Sequence, residues 1–140
     1  MPALDSYILF TNGRCAEAMQ FYERTLGGKL DALLRYAEAP DQAGCPAGAG
    51  DLVMHARLVL EGHALMASDV PPGMPSQSMG GFALSLQYPA ADEARRIFDA
   101  LAKDGTVTMP MQKTFWSEAF GMLTDRFGTP WMVGGGMQPG

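Results

Sequence analysis

The chain has few of the features that mark secreted, membrane or nucleic-acid-binding proteins. Only two of its 140 residues are cysteines, Cys15 and Cys45, too few for a framework of disulfides. Ten basic residues against fifteen acidic ones give a net charge of −5, which argues against nucleic acid or an anionic membrane as a partner. No apolar run approaches the roughly 20 residues that a membrane helix needs. The first ten residues show no basic segment followed by an apolar one, so we expect a soluble, cytoplasmic protein with reduced thiols.

Short motifs of several enzyme classes are absent as well. The sequence contains no GxGxxG, no Walker loop, no HExxH, no CxxC and no GxSxG. Its length and its order of elements leave no room for a doubly wound nucleotide-binding domain. What the chain does have is 47% hydrophobic residues, enough for a core, and 17 glycines with 10 prolines, enough to separate many short elements.

Two segments carry the spacing of an amphipathic helix. Apolar residues three or four positions apart predict helices over residues 14–26 and 91–103. Gly27 and Gly105 follow these segments and supply stop signals. The sequence therefore predicts one helix in each half of the chain.

Strand-like segments precede and follow each helix. They cover 6–11, 29–36, 52–60 and 63–69 in the first half, and 81–88, 106–112, 119–125 and 130–133 in the second. The order β-α-β-β-β thus occurs twice, which predicts an α+β fold of paired βαβββ modules. We expect a single domain over 1–140, with module 1 at about 1–70 and module 2 at about 80–140. One helix covers only one face of a four-stranded sheet, so two modules, within one chain or across a dimer, would curve their bare faces around a cavity.

Alternation along the strands separates the side chains that pack on a helix from those on the bare face. It assigns Phe82, Leu84 and Leu86 to the helix-facing side of the fifth strand. The bare face is predicted to carry Tyr7, Leu9, His55, Arg57, Met66, Ser68, Ala83, Ser85 and Met132. Apolar walls with a few fixed polar groups are typical of a small-molecule site.

Three of the polar and aromatic candidates have alternative interpretations. His55 is either a binding or acid–base imidazole or a hydrogen-bonded structural histidine. Arg57 either binds a carboxylate or phosphonate of a ligand, or pairs with Glu61 or Asp69. Trp116 precedes the seventh strand and either lines the mouth of a pocket or closes the sheet as a hydrophobic plug.

Three segments resemble the vicinal oxygen chelate superfamily, which has the glyoxalase/bleomycin-resistance fold. They are AMQFYERTLGGKL at 18–30, MHARLVLEGHALMASD at 54–69 and TFWSEAFGMLTDRFGTPWM at 114–132. The last two resemble more specifically the PhnB-like branch, which is also labelled as a 3-demethylubiquinone-methyltransferase-like domain. The resemblance implies paired βαβββ modules and a homodimer.

Glyoxalase-type members of that superfamily hold a divalent metal with one ligand from each of four strands. By resemblance these positions fall on Tyr7, near Met66, at Gly81 and near Met132. Thioethers and a glycine do not bind a hard divalent ion, and tyrosine is a rare ligand. We therefore expect no metal and no other cofactor, and we expect metal-dependent isomerase or dioxygenase activity to be absent.

Three functional hypotheses follow. The first is a metal-free small-molecule binding protein, like the sequestering antibiotic-resistance members of the superfamily. The second is an isomerase- or lyase-like enzyme of unknown substrate that uses His55 as its acid or base. The third is a structural or partner-binding subunit, which would be marked by a large exposed apolar patch.

Overall fold

The computed structural model describes residues 2–38 and 48–137, which form two compact units that divide after Ser78. The first unit, unit 1, contains four strands and one α-helix. Its elements are β1 (Ser6–Phe10), α1 (Cys15–Leu26), β2 (Lys29–Arg35), a 3₁₀ turn (Tyr36–Glu38), β3 (Val53–Leu60) and β4 (His63–Asp69). The strands form one mixed sheet in the order β1-β4-β3-β2, in which only the β1–β4 pair is parallel.

The second unit, unit 2, repeats this topology. Its elements are β5 (Leu84–Tyr88), α2 (Ala91–Ala102), β6 (Thr106–Gln112), β7 (Ser117–Thr124) and β8 (Pro130–Met137). The sheet order is β5-β8-β7-β6, and again the first and last strands of the unit pair in parallel. The predicted α+β fold with two four-stranded mixed sheets is confirmed.

In each unit the helix packs on one face of the sheet and buries the apolar side chains of that face. In unit 1 the fully buried side chains include Phe10, Met19, Tyr22 and Leu58, whereas in unit 2 they include Leu101, Leu123, Trp131 and Val133. Contact between α2 and β8 is close because Gly135 has no side chain. A Cβ there would lie 2.6 Å from the Ala90 carbonyl oxygen.

Each unit contains a buried aspartate whose carboxylate accepts hydrogen bonds from residues that are distant in sequence or lie in a turn. In unit 1 the carboxylate of Asp69 accepts hydrogen bonds from the backbone N–H groups of Cys15 and Val53, at 3.0 and 2.9 Å. It thereby ties the start of α1 and the start of β3 to the end of β4.

In unit 2 the Asp125 carboxylate closes the turn between β7 and β8. It accepts hydrogen bonds from the N–H groups of Phe127 and Thr129, and from the Trp131 indole Nε1 at 2.8 Å. Because Asp125 is 4% exposed, water cannot replace these bonds.

The structure corrects the predicted limits of three strands and the orientation of one side chain. The fifth strand begins at Leu84 instead of residue 81, because Gly81 has a φ of +74° that no extended strand contains. Phe82 consequently lies outside the strand and is 44% exposed, so its assignment to the helix-facing side was wrong. The seventh strand begins at Ser117, and the eighth continues to Met137. No helix in the described ranges is long and apolar enough to cross a membrane.

Candidate functional site

In the sheet of unit 1, no helix or strand among residues 2–38 and 48–78 covers the face opposite α1, and we call it the open face of unit 1. Tyr7 pairs with Met66 and Leu9 with Ser68 across β1 and β4. Met66 in turn pairs with Arg57 on β3, from which His55 is two residues away. Directly paired residues point to the same side of a sheet, as do residues two apart on one strand. The structure therefore brings these six predicted site residues together on one face.

The exposed fractions of the side chains of β1 agree with the assignment of alternate residues to the two faces of the sheet. Ile8 and Phe10 are 3% and 1% exposed against α1, whereas Tyr7 and Leu9 are 47% and 50% exposed. The same alternation separates half-buried His55 and exposed Arg57 from the fully buried Ala56. Period-two reading of the sequence thus assigned the faces of β1 and β3 correctly.

The phenol of Tyr7 reaches across β4 and contacts the imidazole of His55. Tyr7 Oη lies 3.3 Å from His55 Nδ1, and the two rings are stacked with their centroids 5.8 Å apart. When the imidazole carries its proton on Nε2, the phenol donates to Nδ1 and Nε2–H is left to bind another molecule. We call these two side chains the Tyr7–His55 pair.

Arg57 forms an ion pair that the sequence did not indicate. Its Nη1 lies 2.7 Å from Asp31 Oδ2, and neither Glu61 nor Asp69 is its partner, so both proposed pairings were wrong. Asp69 is engaged by backbone N–H groups beside α1. Asp31 reaches Arg57 because the β2–β3 register shifts between Leu30 and Ala32. A ligand anion must therefore compete with Asp31 for the guanidinium.

A pocket of about 420 Å³ lies at one end of the open face of unit 1. Its lining includes Leu9, which belongs to that face, and Val70, Pro75, Ser76 and Gln77 from the segment after β4. The volume is within the range of small-molecule sites. This Pro-containing segment lies between the two predicted modules, and no pattern in its sequence indicated a pocket.

The remaining predicted site residues belong to unit 2. Ser85 and Met132 pair across β5 and β8, and the Ser85 hydroxyl accepts a hydrogen bond from Gln87 Nε2. Trp116 lies in the loop before β7 and makes edge-to-face contacts with exposed Phe115 and buried Phe120, at centroid distances of 4.8 and 5.4 Å. The roles of Ser85, Trp116 and Met132 in ligand binding stay predictions.

The donor chemistry of the superfamily metal positions does not fit a hard divalent ion. Tyr7 and Met66 lie opposite each other in unit 1, and offer a phenol already bonded to His55 and a thioether. In unit 2 the positions are Gly81, which has no side chain, and Met132. Within the described ranges no three His, Cys, Asp or Glu side chains come together as a metal-binding group.

Cys15 is a buried thiol beside a buried carboxylate. Burial, reinforced by the negative charge of Asp69, raises the pKa of Cys15 to about 12 from 9.0. The N-terminus of a helix lowers the pKa of exposed thiols, but desolvation dominates here. Cys15 is therefore not a nucleophile at neutral pH. The second cysteine, Cys45, lies outside the described residues.

Comparison with known proteins decides the family. The model of the Glyoxalase/Bleomycin resistance protein/Dioxygenase superfamily matches residues 5–133. The chain belongs to this superfamily. The resemblance inferred from the three sequence segments is thereby confirmed.

Relatives of this superfamily member cover nearly its whole length. It is 38% identical to protein YjdN of Escherichia coli over 93% of this chain and 92% of that protein. The crystal structure of protein PA1353 from Pseudomonas aeruginosa is 44% identical, covers 96% and 98% of the two chains, and has a TM-score of 0.89. A PhnB protein from Bacillus cereus is 24% identical with a TM-score of 0.78 over 96% and 99%. This last likeness shows a shared fold with a PhnB-like protein.

Proposed function

We propose that this glyoxalase-superfamily protein binds a small organic molecule on the open face of unit 1 without a metal ion. The observation that carries the proposal is the Tyr7–His55 pair, a phenol and an imidazole joined at 3.3 Å on an accessible surface. A few fixed polar groups beside apolar side chains give a ligand its orientation, and the Nε2 atom of His55, on the far side of the ring from the contact with Tyr7, is such a group.

The surroundings of the pair suit a ligand with one polar and one apolar end. Leu9 and Met66 flank Tyr7 on the same face, and Leu9 also lines the pocket of about 420 Å³. Residues two apart on a strand are about 7 Å from each other, so a single small molecule can contact the pair and enter the pocket. Arg57 contributes when a ligand carboxylate or phosphonate displaces Asp31.

The test is a thermal-shift screen of the full chain against carboxylates, phosphonates and aromatic compounds, followed by calorimetry on each compound that raises Tm. A ligand at 100 times its Kd stabilises the folded state by about 2.7 kcal/mol. Tyr7→Phe and His55→Ala should each weaken binding of the selected compound. His63→Ala is the matched control, because His63 is exposed at the β3–β4 turn. Equal affinity in all variants would refute the assignment of the site.

A second candidate function is an isomerase- or lyase-like enzyme in which His55 acts as the acid or base. The contact from Tyr7 favours it, because a hydrogen bond to Nδ1 fixes the tautomer and orientation of the imidazole. If the protein is such an enzyme, His55→Ala abolishes turnover of a bound compound while largely sparing its affinity. Loss of affinity without any turnover in the parent protein would favour the binding function.

We further propose that the chain is one domain over 1–140 and acts as a cytoplasmic homodimer with no nucleic-acid partner. The support for the homodimer is the superfamily membership, and the support for the last statement is the net charge of −5. Light scattering coupled to size exclusion should give a mass of twice 15.0 kDa. A screen without any binder, together with a stable complex with another protein, would support the structural or partner-binding hypothesis instead.

A further inference from the structure

Three methionines form a single row across the sheet of unit 2, which we call the methionine row. Met122 of β7 pairs with Met109 of β6 on one side and with Met132 of β8 on the other. All three side chains are half-buried. The row continues to Ser85 of β5, which pairs with Met132.

The row lies on the face of the sheet opposite α2. Leu123 and Trp131, which flank Met122 and Met132 along their strands, are buried at 1% and 2% exposure on the helix-facing side. Alternation therefore directs the two methionines the other way. Met109 is assigned to the same face because it pairs directly with Met122. The register of β6 is irregular on both sides of this pair.

Within 119–123 of β7 and 131–133 of β8, the methionines lie on this face, and the helix-facing side carries Ala119, Gly121, Leu123, Trp131 and Val133. On β6 the sulfur of Met111 lies on the helix-facing side, 2.8 Å from where a Cβ of Gly121 would be. If the row served only to present an apolar surface, leucine or valine would do so with better-defined side-chain conformations. Methionine adds a soft sulfur donor on a flexible stem.

The spacing allows the three sulfurs to converge. Cβ atoms of directly paired residues are about 4.5–5.5 Å apart, and an unbranched side chain with three rotatable bonds can lean by several ångströms. The central sulfur of Met122 and those of its two neighbours can therefore approach one point above β7. Neutral thioethers select Cu(I) over Mg²⁺, Ca²⁺ and Zn²⁺, which prefer oxygen, nitrogen or thiolate donors.

We propose that Met109, Met122 and Met132 form a site for one monovalent soft cation, Cu(I), coordinated by three thioether sulfurs. Phe120, two residues from Met122 on the same face, and Trp116, which packs on Phe120, supply an apolar wall beside it. Such a wall protects a Cu(I)–thioether site from water. The site belongs to unit 2 and does not depend on the Tyr7–His55 pair.

The test is an anaerobic titration of the full chain with Cu(I) in competition with a chromogenic Cu(I) chelator. Thiolates also bind Cu(I), so every protein in the series carries Cys45→Ser, and Cys15 is protected by burial. The expected stoichiometry is one Cu(I) per chain. Met122→Leu should weaken binding by at least about tenfold, because it removes the central of three donors with little change of volume.

Met74→Leu is the matched control, since Met74 is 56% exposed and lies outside the row. It should leave the affinity unchanged. In spectra of methyl-labelled methionine, Cu(I) or Ag(I) should shift the ε-methyl signals assigned by Met109→Leu, Met122→Leu and Met132→Leu, and should leave that of Met74 in place. Far-ultraviolet circular dichroism and Tm verify that each variant is folded.

Two results would overturn the proposal. One is binding of Cu(I) by the triple leucine variant with the affinity of its parent. The other is a set of shifted methyl signals that does not include Met122. Tight binding of Zn²⁺ by the parent and not by the triple variant would contradict the assignment of the row to a soft cation.

Discussion

Replacing Asp125 by asparagine should destabilise unit 2 more than any ordinary loss of surface charge. One carboxylate oxygen accepts the N–H groups of Phe127 and Thr129, and the other accepts the indole Nε1–H of Trp131. An asparagine keeps only one accepting oxygen. If that oxygen serves the two backbone donors, the amide NH₂ group faces the indole N–H, and two donors oppose each other at 2.8 Å.

The magnitude follows from burial. Asp125 is 4% exposed and Trp131 is 2% exposed, so the indole N–H loses its acceptor without gaining water. A buried unsatisfied donor costs about 1–3 kcal/mol, and a hydrogen bond to a charged acceptor exceeds a neutral one by about 1 kcal/mol. For the two backbone bonds and the indole together we expect a loss of about 3–5 kcal/mol. That is a large fraction of the roughly 5–15 kcal/mol by which domains are stable.

The assay is urea denaturation followed by circular dichroism, with Asp99→Asn as the control for the same change of charge. Asp99 is exposed on α2, and its substitution should change the free energy of unfolding by less than about 0.5 kcal/mol. Because Trp131→Phe removes the indole donor, Asp125→Asn should cost less in that background than in the parent. Equal unfolding midpoints for Asp125→Asn and Asp99→Asn would refute the reasoning.

Three other predictions concern the core and the open face of unit 1. Gly135→Ala should lower the free energy of unfolding, measured by urea denaturation, by about 1–3 kcal/mol, because the new Cβ would lie 2.6 Å from a carbonyl oxygen at the start of α2. Gly80→Ala is the control and should cost little, because a Cβ there would have nothing within 4 Å. Folding raises the pKa of Cys15 to about 12 from 9.0, so the thiol of the unfolded chain ionises at a lower pH than that of the folded protein. Tm of the parent should therefore fall between these pH values, and it should fall less steeply in Cys15→Ala, which lacks the thiol. Equal slopes of Tm against pH in the two proteins would contradict the pKa shift. Asp31→Asn should change stability by at most about 1 kcal/mol, because its pair with Arg57 is partly exposed, and it should raise the affinity of any anionic ligand measured by calorimetry.

Local sequence pattern was sufficient for the two helices and for the faces of β1 and β3. The 3.6-residue period located α1 and α2 to within one residue at each end, because Gly27 ends α1 with a left-handed conformation, at a φ of +81°. Alternation assigned Ile8 to the helix-facing side and Tyr7 to the open face. Both signals depend only on neighbours within a single element.

Contacts between strands that are distant in sequence were beyond such patterns. Tyr7 and His55 are 48 residues apart, and their contact requires that β1 pair in parallel with β4, which alternation does not determine. The partner of Arg57 was missed because a register shift in β2 brings Asp31 within reach. An acidic residue between apolar neighbours in the predicted second strand was the available signal, and it was not used.

The pairing of first and last strands within each unit has a consequence for biosynthesis. No sheet of four strands can be completed until β4, or later β8, has left the ribosome, because each is hydrogen-bonded to the first strand of its unit and separates it from the middle strands. Truncation of a nascent unit by a few residues therefore removes an interior strand instead of an edge. We expect folding during translation to occur in two late steps, one for each unit, and not as gradual growth of a sheet.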